Sequence, residues 1–179
     1  MNHFVTILCL FVVSLFSGTF AHSPDCGLEK DSGNGKDAIQ KYYFNSKWHT
    51  CFGFKYTGKG GNGNRFDSYS ECQGNCAPLD GSACSGPNPS KSPLNEGTPD
   101  GFQCETAKCP KGYKCAFGTI VQCCFEKDSD DFNAATSDKC PDGSKAGDAF
   151  GETCNDLVCN KGQKCVQINK QFAKCCGGK

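Results

Sequence analysis

The sequence has few of the residues from which large hydrophobic cores are built. Its 179 residues include one methionine and one tryptophan, and leucine, isoleucine and valine are sparse beyond the first 21 positions. Small domains with so little aliphatic surface gain only modest stability from burial, and cross-links commonly offset the shortfall. We therefore expect disulfides, rather than a large apolar core, to hold the fold together.

The chain also lacks an excess of either charge. Its 19 lysine and arginine residues balance 19 aspartate and glutamate residues, which gives a formal net charge of zero. A basic excess would favour a nucleic acid or an anionic membrane surface as partner. We therefore expect neither nucleic acid nor a membrane among the partners.

The only long apolar run covers residues 4–16. This run is too short to span a bilayer, and small residues follow it, with Thr19 and Ala21 in a plausible cleavage pattern. We predict a signal peptide over residues 1–21, no membrane anchor, and a secreted, extracellular protein.

Cysteine, by contrast, is abundant. Of the 17 cysteines, Cys9 lies in the predicted signal peptide, and the even number that remains is typical of a disulfide framework in an oxidising compartment. These cysteines fall into three blocks, each with an even count, so each block can close on itself. The blocks run over residues 26–76, 84–124 and 140–176.

The blocks predict three modules joined by polar segments. We expect modules over residues 22–77, 84–124 and 140–176. A linker rich in proline, serine and glycine covers residues 78–103 and is tied down at Cys84. A second polar linker covers residues 125–139, and neither linker carries a helix signal.

The second and third blocks are repeats of each other. Both follow the pattern C-x4-C-x5-C and end in adjacent cysteines, and such self-similarity indicates a duplicated module. We predict a β-hairpin in each repeat, with turns at Gly118 and at Asn169-Lys170. Spacing alone does not select a disulfide pairing among six cysteines.

The first block predicts a hairpin followed by a helix. Aromatic residues occur on both arms, over residues 39–45 and 50–56, and four residues between the arms suit a hairpin connection. Ser68 and Glu71 form a capping box that opens a short helix ending near Cys76. Four cysteines admit three connectivities, and the spacing leaves all three open.

The frame of this block resembles the Kunitz family, the pancreatic trypsin inhibitor fold. The resemblance covers residues 26–76 and depends on the gaps Cys26-x24-Cys51-x20-Cys72-x3-Cys76 together with the aromatic run over residues 42–44. It implies disulfides Cys26–Cys76 and Cys51–Cys72. The whole chain is then a small disulfide-rich α+β protein, in which a Kunitz domain with a β-hairpin and a C-terminal helix precedes two small disulfide-rich β-hairpin repeats.

The resemblance also implies a reactive-site loop that binds proteases. Lys36 occupies the primary specificity position, which implies a trypsin-like serine protease as partner. Gly35, Asp37 and Ala38 complete the reactive site. An acidic side chain at Asp37 would lose solvation against a protease, which disfavours binding.

The sequence departs from the family beside this loop. The family's third disulfide would join positions 35 and 59, which are Gly35 and Lys59 here. Inhibitory loops bind tightly because they are ordered before binding. Without this bridge, and with backbone freedom at Gly33 and Gly35, we expect a looser loop.

Two functions remain open after these observations. One is a secreted Kunitz-type serine protease inhibitor. The other is a non-inhibitory matrix or cuticle protein, structural or interacting, that uses the Kunitz module as a scaffold. The repeats resemble the lustrin-type cysteine-rich repeats found beside Kunitz domains in secreted nematode proteins, which implies an extracellular matrix or cuticle setting with matrix proteins as partners.

No enzymatic constellation is visible. All cysteines of the mature chain can pair, and His49 falls in the predicted hairpin turn rather than beside a nucleophile. The repeats also lack the C-x2-C pairs typical of zinc sites, so we expect no enzymatic activity, no cofactor and no metal. We interpret the lysines of the repeats as solvated faces: Lys108, Lys111, Lys114, Lys161, Lys164, Lys170 and Lys174.

Overall fold

A computed structural model describes residues 23–78 and 81–178. The predicted signal peptide lies outside the described residues. Within the two described ranges, no helix has both the length and the apolar character that a membrane span requires.

The first module is a hairpin backed by one helix. Strands β1 (Ile39–Asn45) and β2 (Thr50–Tyr56) pair antiparallel, and helix α1 (Tyr69–Cys76) follows. Ser68 caps α1 by accepting a hydrogen bond from the Glu71 amide at 3.1 Å. The predicted hairpin and C-terminal helix are therefore confirmed.

Two buried disulfides hold the elements of this module together. One joins Cys26, in a short 3-10 turn at Pro24–Gly27, to Cys76 at the end of α1. The other joins Cys51 of β2 to Cys72 of α1. Cys72 and Cys76 stand one helical turn apart, so a single face of α1 is attached to both the N-terminal segment and the hairpin.

Each repeat contains an antiparallel strand pair. The first has β3 (Tyr113–Phe117) and β4 (Val121–Phe125). The second has a three-stranded sheet in the order β5-β7-β6, formed by β5 (Ala146–Gly151), β6 (Gln163–Gln167) and β7 (Ala173–Gly177). In the first repeat, a single bridge between Lys91 and Cys123 takes the place of the β5 pairing.

The two repeats share one disulfide connectivity. In each, the first cysteine joins the sixth, the second joins the fourth, and the third joins the fifth. The pairs are Cys84–Cys124, Cys104–Cys115 and Cys109–Cys123 in the first repeat, and Cys140–Cys176, Cys154–Cys165 and Cys159–Cys175 in the second. Sequence spacing could not select this pattern.

The segment predicted as a polar linker over residues 125–139 contains a helix, so the absence of a helix there was a wrong prediction. Helix α2 (Glu126–Thr136) has no side-chain cap at its N-terminus. Its order comes from tertiary packing, because Phe132 and Ala135 join an aromatic cluster contributed by other modules. The Lys127–Asp131 ion pair at 2.8 Å, four residues apart, adds local support.

That aromatic cluster joins the first module to the second repeat. Phe172 is fully buried, and its ring centroid lies 4.5 Å from that of Trp48 and 5.4 Å from that of Phe52. Phe150 of β5 packs against the same rings. Most of these contacts are edge-to-face, which is a favoured aromatic geometry. The main apolar core therefore lies between the two modules.

One lysine of the second repeat is buried rather than solvated. The Lys174 side chain is 1 % exposed, and its ammonium donates hydrogen bonds to the carbonyl oxygens of Ala135 at 2.8 Å and Ser137. These carbonyls lie at the C-terminal end of α2, where a cation is favourable. Burial lowers the pKa of Lys174, and Asp138 opposes that shift. The prediction of a solvated face is wrong for this residue.

Candidate functional site

The predicted reactive-site residues lie together on one exposed edge of the first module. The chain bends at residues 34–36, and Lys36, Asp37 and Ala38 are exposed while Gly35 is half-buried. Among the described residues, no hydrogen bond or ion pair holds the Lys36 side chain. Its ammonium therefore has no hydrogen-bond or ion-pair partner in the described part of the chain.

Backbone hydrogen bonds join this edge to the loop that follows β2. The Asn34 amide donates to the Lys59 carbonyl at 2.9 Å, and the Asp37 amide donates to the Thr57 carbonyl at 3.0 Å. The Thr57 amide donates to the Ser32 carbonyl at 2.9 Å. The two loops are thus joined on both sides of Lys36, although positions 35 and 59 carry no disulfide.

The Thr57 hydroxyl adds two further hydrogen bonds between the loops. Its Oγ1 accepts from the Gly35 amide at 2.8 Å and donates to the Ser32 carbonyl at 2.7 Å. Sequence reasoning did not single out this residue. The available signal was its position, a hydroxyl two residues before Lys59 on the loop that faces the missing bridge.

The two glycines of the reactive-site loop are required by close approach. A Cβ atom on Gly35 would lie 1.9 Å from the Thr57 carbonyl oxygen, and one on Gly33 would lie 2.1 Å from the Lys59 carbonyl oxygen. Gly33 also has a φ of +76°, which favours glycine. The glycines, expected from the sequence to add backbone freedom, also let the loop contact its neighbour.

The Asp37 carboxylate is directed toward the facing loop. A Cβ atom on Gly58 would lie 2.1 Å from Asp37 Oδ2, so the glycine leaves the space that the carboxylate occupies. Gly58 also has a φ of +87°. Although Asp37 is exposed, its charged group lies against its own module.

The facing loop has supports of its own. The Tyr56 hydroxyl donates to the Gly60 carbonyl at 2.8 Å, and Arg65 Nη1 donates to the same oxygen at 2.8 Å. The Arg65 guanidinium also lies 4.2 Å from the centroid of the Tyr56 ring, a cation–π distance. These contacts fix the surface against which the reactive-site loop rests.

The cysteine pairs implied by the resemblance lie in the core rather than at this edge. Cys51 and Cys72 are fully buried, and Cys26 and Cys76 pack in the same cluster. Among the described residues, no group of three or more histidine, cysteine, aspartate or glutamate side chains could hold a metal ion. This edge presents an exposed lysine on a loop that is hydrogen-bonded to its neighbour.

Comparison with known proteins identifies the first module independently. The family described as the Kunitz/Bovine pancreatic trypsin inhibitor domain matches residues 25–77. The Kunitz-type serine protease inhibitor textilinin-4 of Pseudonaja textilis textilis is 39 % identical over 56 residues, which cover 31 % of this chain and 68 % of that protein.

Two relatives extend over nearly the whole chain. The major allergen Ani s 1 of Anisakis simplex is 29 % identical over 195 residues, covering 98 % of each chain. A BPTI/Kunitz inhibitor domain-containing protein of Caenorhabditis elegans is 33 % identical over 187 residues, covering 98 % of this chain and 99 % of the relative. The similarity therefore includes both repeats, and the chain belongs to the family of BPTI/Kunitz inhibitor domain-containing proteins.

Proposed function

We propose that this protein is a secreted Kunitz-type inhibitor of trypsin-like serine proteases that acts in an extracellular matrix or cuticle. The observation that carries the proposal is the exposed Lys36 on a loop hydrogen-bonded to its neighbour on both sides. A serine protease inhibitor is among the relatives that match this module. Pairing of all 16 cysteines between Cys26 and Cys176 into eight disulfides fits an oxidising, extracellular compartment.

The mechanism depends on the charge of Lys36 and on the order of its loop before binding. The Lys36 ammonium enters the acidic specificity pocket of the protease, where its charge pairs with a carboxylate. The bonds that Asn34 and Asp37 make to the facing loop already hold the flanking backbone, so less conformational entropy is lost on binding. The bond after Lys36 then lies at the protease's catalytic serine, within a loop that remains attached to its module.

The test uses the full chain, with its disulfides verified by mass, titrated against trypsin. We expect Lys36→Ala to raise the inhibition constant by about thirtyfold or more, because truncating one partner of a buried charge pair costs about 2–5 kcal/mol. Lys47→Ala is the matched control, since Lys47 is an exposed lysine in the turn between β1 and β2. We expect that control to inhibit like the wild type.

The alternative function is a non-inhibitory matrix or cuticle scaffold. It is favoured by the absence of cysteine at positions 35 and 59 and by the packing of the Kunitz hairpin into the second repeat. Rapid cleavage of the wild-type chain after Lys36, or no binding to trypsin, would support this alternative. Equal inhibition by the wild type and Lys36→Ala would show that Lys36 is not the specificity residue.

A further inference from the structure

The Thr57 side chain bonds to the reactive-site loop at the place where the Kunitz resemblance implies a disulfide. Its hydroxyl accepts from the Gly35 amide at 2.8 Å and donates to the Ser32 carbonyl at 2.7 Å. Ser32 and Gly35 lie before Lys36, whereas the Thr57 carbonyl accepts from the Asp37 amide after it, at 3.0 Å. One residue therefore contacts the loop on both sides of Lys36.

We infer that Thr57 is the positioning residue of the reactive-site loop, and that its hydroxyl substitutes for the missing disulfide. This inference rests on the proposed function only for its effect on proteases, because ordering of the loop is a property of the free chain. A noncovalent hydroxyl contact can hold the loop because both its donor and its acceptor are used, so the Gly35 amide and the Ser32 carbonyl each gain a partner.

Gly35 is the partner that this arrangement requires. Any side chain at position 35 would begin 1.9 Å from the Thr57 carbonyl oxygen and 3.0 Å from the Lys59 amide nitrogen. The loop would have to move away, which would break the contact between the Gly35 amide and the Thr57 hydroxyl. A disulfide between positions 35 and 59 and the Thr57 contact therefore cannot coexist in this geometry.

Removing the hydroxyl should loosen the loop without unfolding the module. The backbone amide and carbonyl of Thr57 keep their bonds to Ser32 and Asp37 in any variant that preserves the strand geometry. The hydrogen bond between Asn34 and Lys59 and the Tyr56 support of Gly60 do not involve the Thr57 side chain. The effect is thus confined to the order of the loop before Lys36.

The test compares Thr57→Val, which keeps the shape and removes both hydrogen bonds, with Thr57→Ser, which keeps the hydroxyl. Thr98→Val is the matched control, because the Thr98 hydroxyl donates to a backbone carbonyl at 2.8 Å in the first repeat. Residue-resolved amide hydrogen exchange at Gly35 and Asp37 is measured on the free full chain. The inhibition constant for trypsin and the rate of cleavage after Lys36 are measured on the same samples.

We expect Thr57→Val to speed exchange at Gly35 and to weaken inhibition, each by about tenfold, as befits the loss of two hydrogen bonds from an ordered loop. Thr57→Ser and Thr98→Val should behave like the wild type. Unchanged exchange at Gly35 in Thr57→Val, or an equal loss in Thr57→Ser, would overturn the inference. Faster exchange with unchanged inhibition would also overturn it, because the hydroxyl would then order the loop without positioning it for a protease.

The two proposals can fail separately in this experiment. If the wild-type chain does not inhibit trypsin, whether or not it is cleaved after Lys36, the proposed function fails. Exchange at Gly35 in the variants then still decides whether Thr57 orders the loop. If the wild type inhibits and the Thr57→Val chain exchanges and inhibits like it, the function stands and the role of Thr57 is rejected.

Discussion

Tyr43 shows how the junction between modules changes the properties of a single residue. Its side chain is 4 % exposed, and its hydroxyl accepts a hydrogen bond from Asn45 at 3.2 Å. Burial raises the pKa of the Tyr43 phenol far above its ordinary value, and the nearby Glu152 carboxylate of the second repeat adds to the shift. The folded chain therefore keeps a proton that the unfolded chain releases.

This proton makes the stability of the chain depend on alkaline pH. Above about pH 10 the unfolded chain binds one proton fewer at Tyr43 than the folded chain, so the free energy of unfolding falls by about 1.4 kcal/mol per pH unit. We expect Tyr43→Phe to remove this contribution, so the free energy of unfolding of the wild type should fall relative to that of the variant as pH rises. Denaturant unfolding with intact disulfides, carried out from about pH 8 to about pH 12, measures the free energy of unfolding of both proteins. Parallel stability curves for the two proteins would contradict the expectation.

At the scale of single residues, the sequence can predict a role only where a motif defines the position. The role of Lys36 stays a prediction from its place in the Kunitz frame, because the resemblance implies a specificity position next to position 35. Thr57 could not be found in that way, because its importance lies in two hydrogen bonds between loops more than 20 residues apart. The burial of Lys174 could not be predicted either, because its ammonium bonds to the Ala135 carbonyl, 39 residues earlier in the chain.

The hairpins of the two repeats show how one element can serve different surroundings. Ile120 and Phe172 occupy equivalent positions, three residues before the first of the paired cysteines in each repeat. Phe172 is fully buried against the Kunitz hairpin, whereas Ile120 is 62 % exposed. Equivalent positions just before β4 and β7 therefore place one apolar residue in solvent and the other in the core.

Equivalent substitutions at these two positions should have unequal effects. We expect Phe172→Ala to lower the free energy of unfolding by about 3–5 kcal/mol, because it opens a cavity among aromatic rings. Ile120→Ala should change it by less than about 0.5 kcal/mol, because Ile120 has little packing to lose. Denaturant unfolding of both variants, with disulfides intact, measures the difference. Similar losses in the two variants would mean that Phe172 does not anchor the second repeat.

At the scale of elements, hairpins were easier to predict than the helix between the repeats. Strand β1 contains three consecutive aromatic residues and β2 has aromatic residues at alternate positions, which is a local signal. Helix α2 has a polar sequence and no N-terminal side-chain cap, so its formation depends on where Phe132 and Ala135 come to lie. Isolated helices of this length are marginal in water, and tertiary packing commonly decides their fate.

Across the whole molecule, the Kunitz module and the second repeat form one packed unit. Lys30 pairs with Glu152 at 2.9 Å and with Asp156 at 2.7 Å. Burial opposes the charge of Lys30, but its hydrogen bonds to the two carboxylates outweigh this and raise the pKa of the lysine. The Gln40 side-chain oxygen also accepts from the Val158 amide at 2.8 Å. Polar contacts thus surround the aromatic cluster on the same interface.

The sequence suggested separate modules because the contacts that join them are not local in the chain. The cysteine blocks close on themselves, and polar segments lie between them, which is the ordinary pattern of independent domains. The joining contacts connect residues more than 100 positions apart, such as Lys30 and Glu152. Neither composition nor spacing contains information about such pairs, so the shared core emerged only from the three-dimensional arrangement.

Because they share a core, the Kunitz module and the second repeat should unfold cooperatively, although the sequence predicts them as separate modules. Trp48 is the only tryptophan of the chain, and this residue of the Kunitz module is buried against Phe132 of α2 and Phe172 of the second repeat. In guanidinium, with disulfides intact, its fluorescence transition should therefore coincide with the loss of amide protection in both β2 and β7. Phe150→Ala should shift all three transitions equally, because Phe150 packs against Phe52 and Phe172. Amides of β3 and β4, in the first repeat, provide the internal comparison. A Phe150→Ala shift confined to β7 would mean that the interface does not couple the modules.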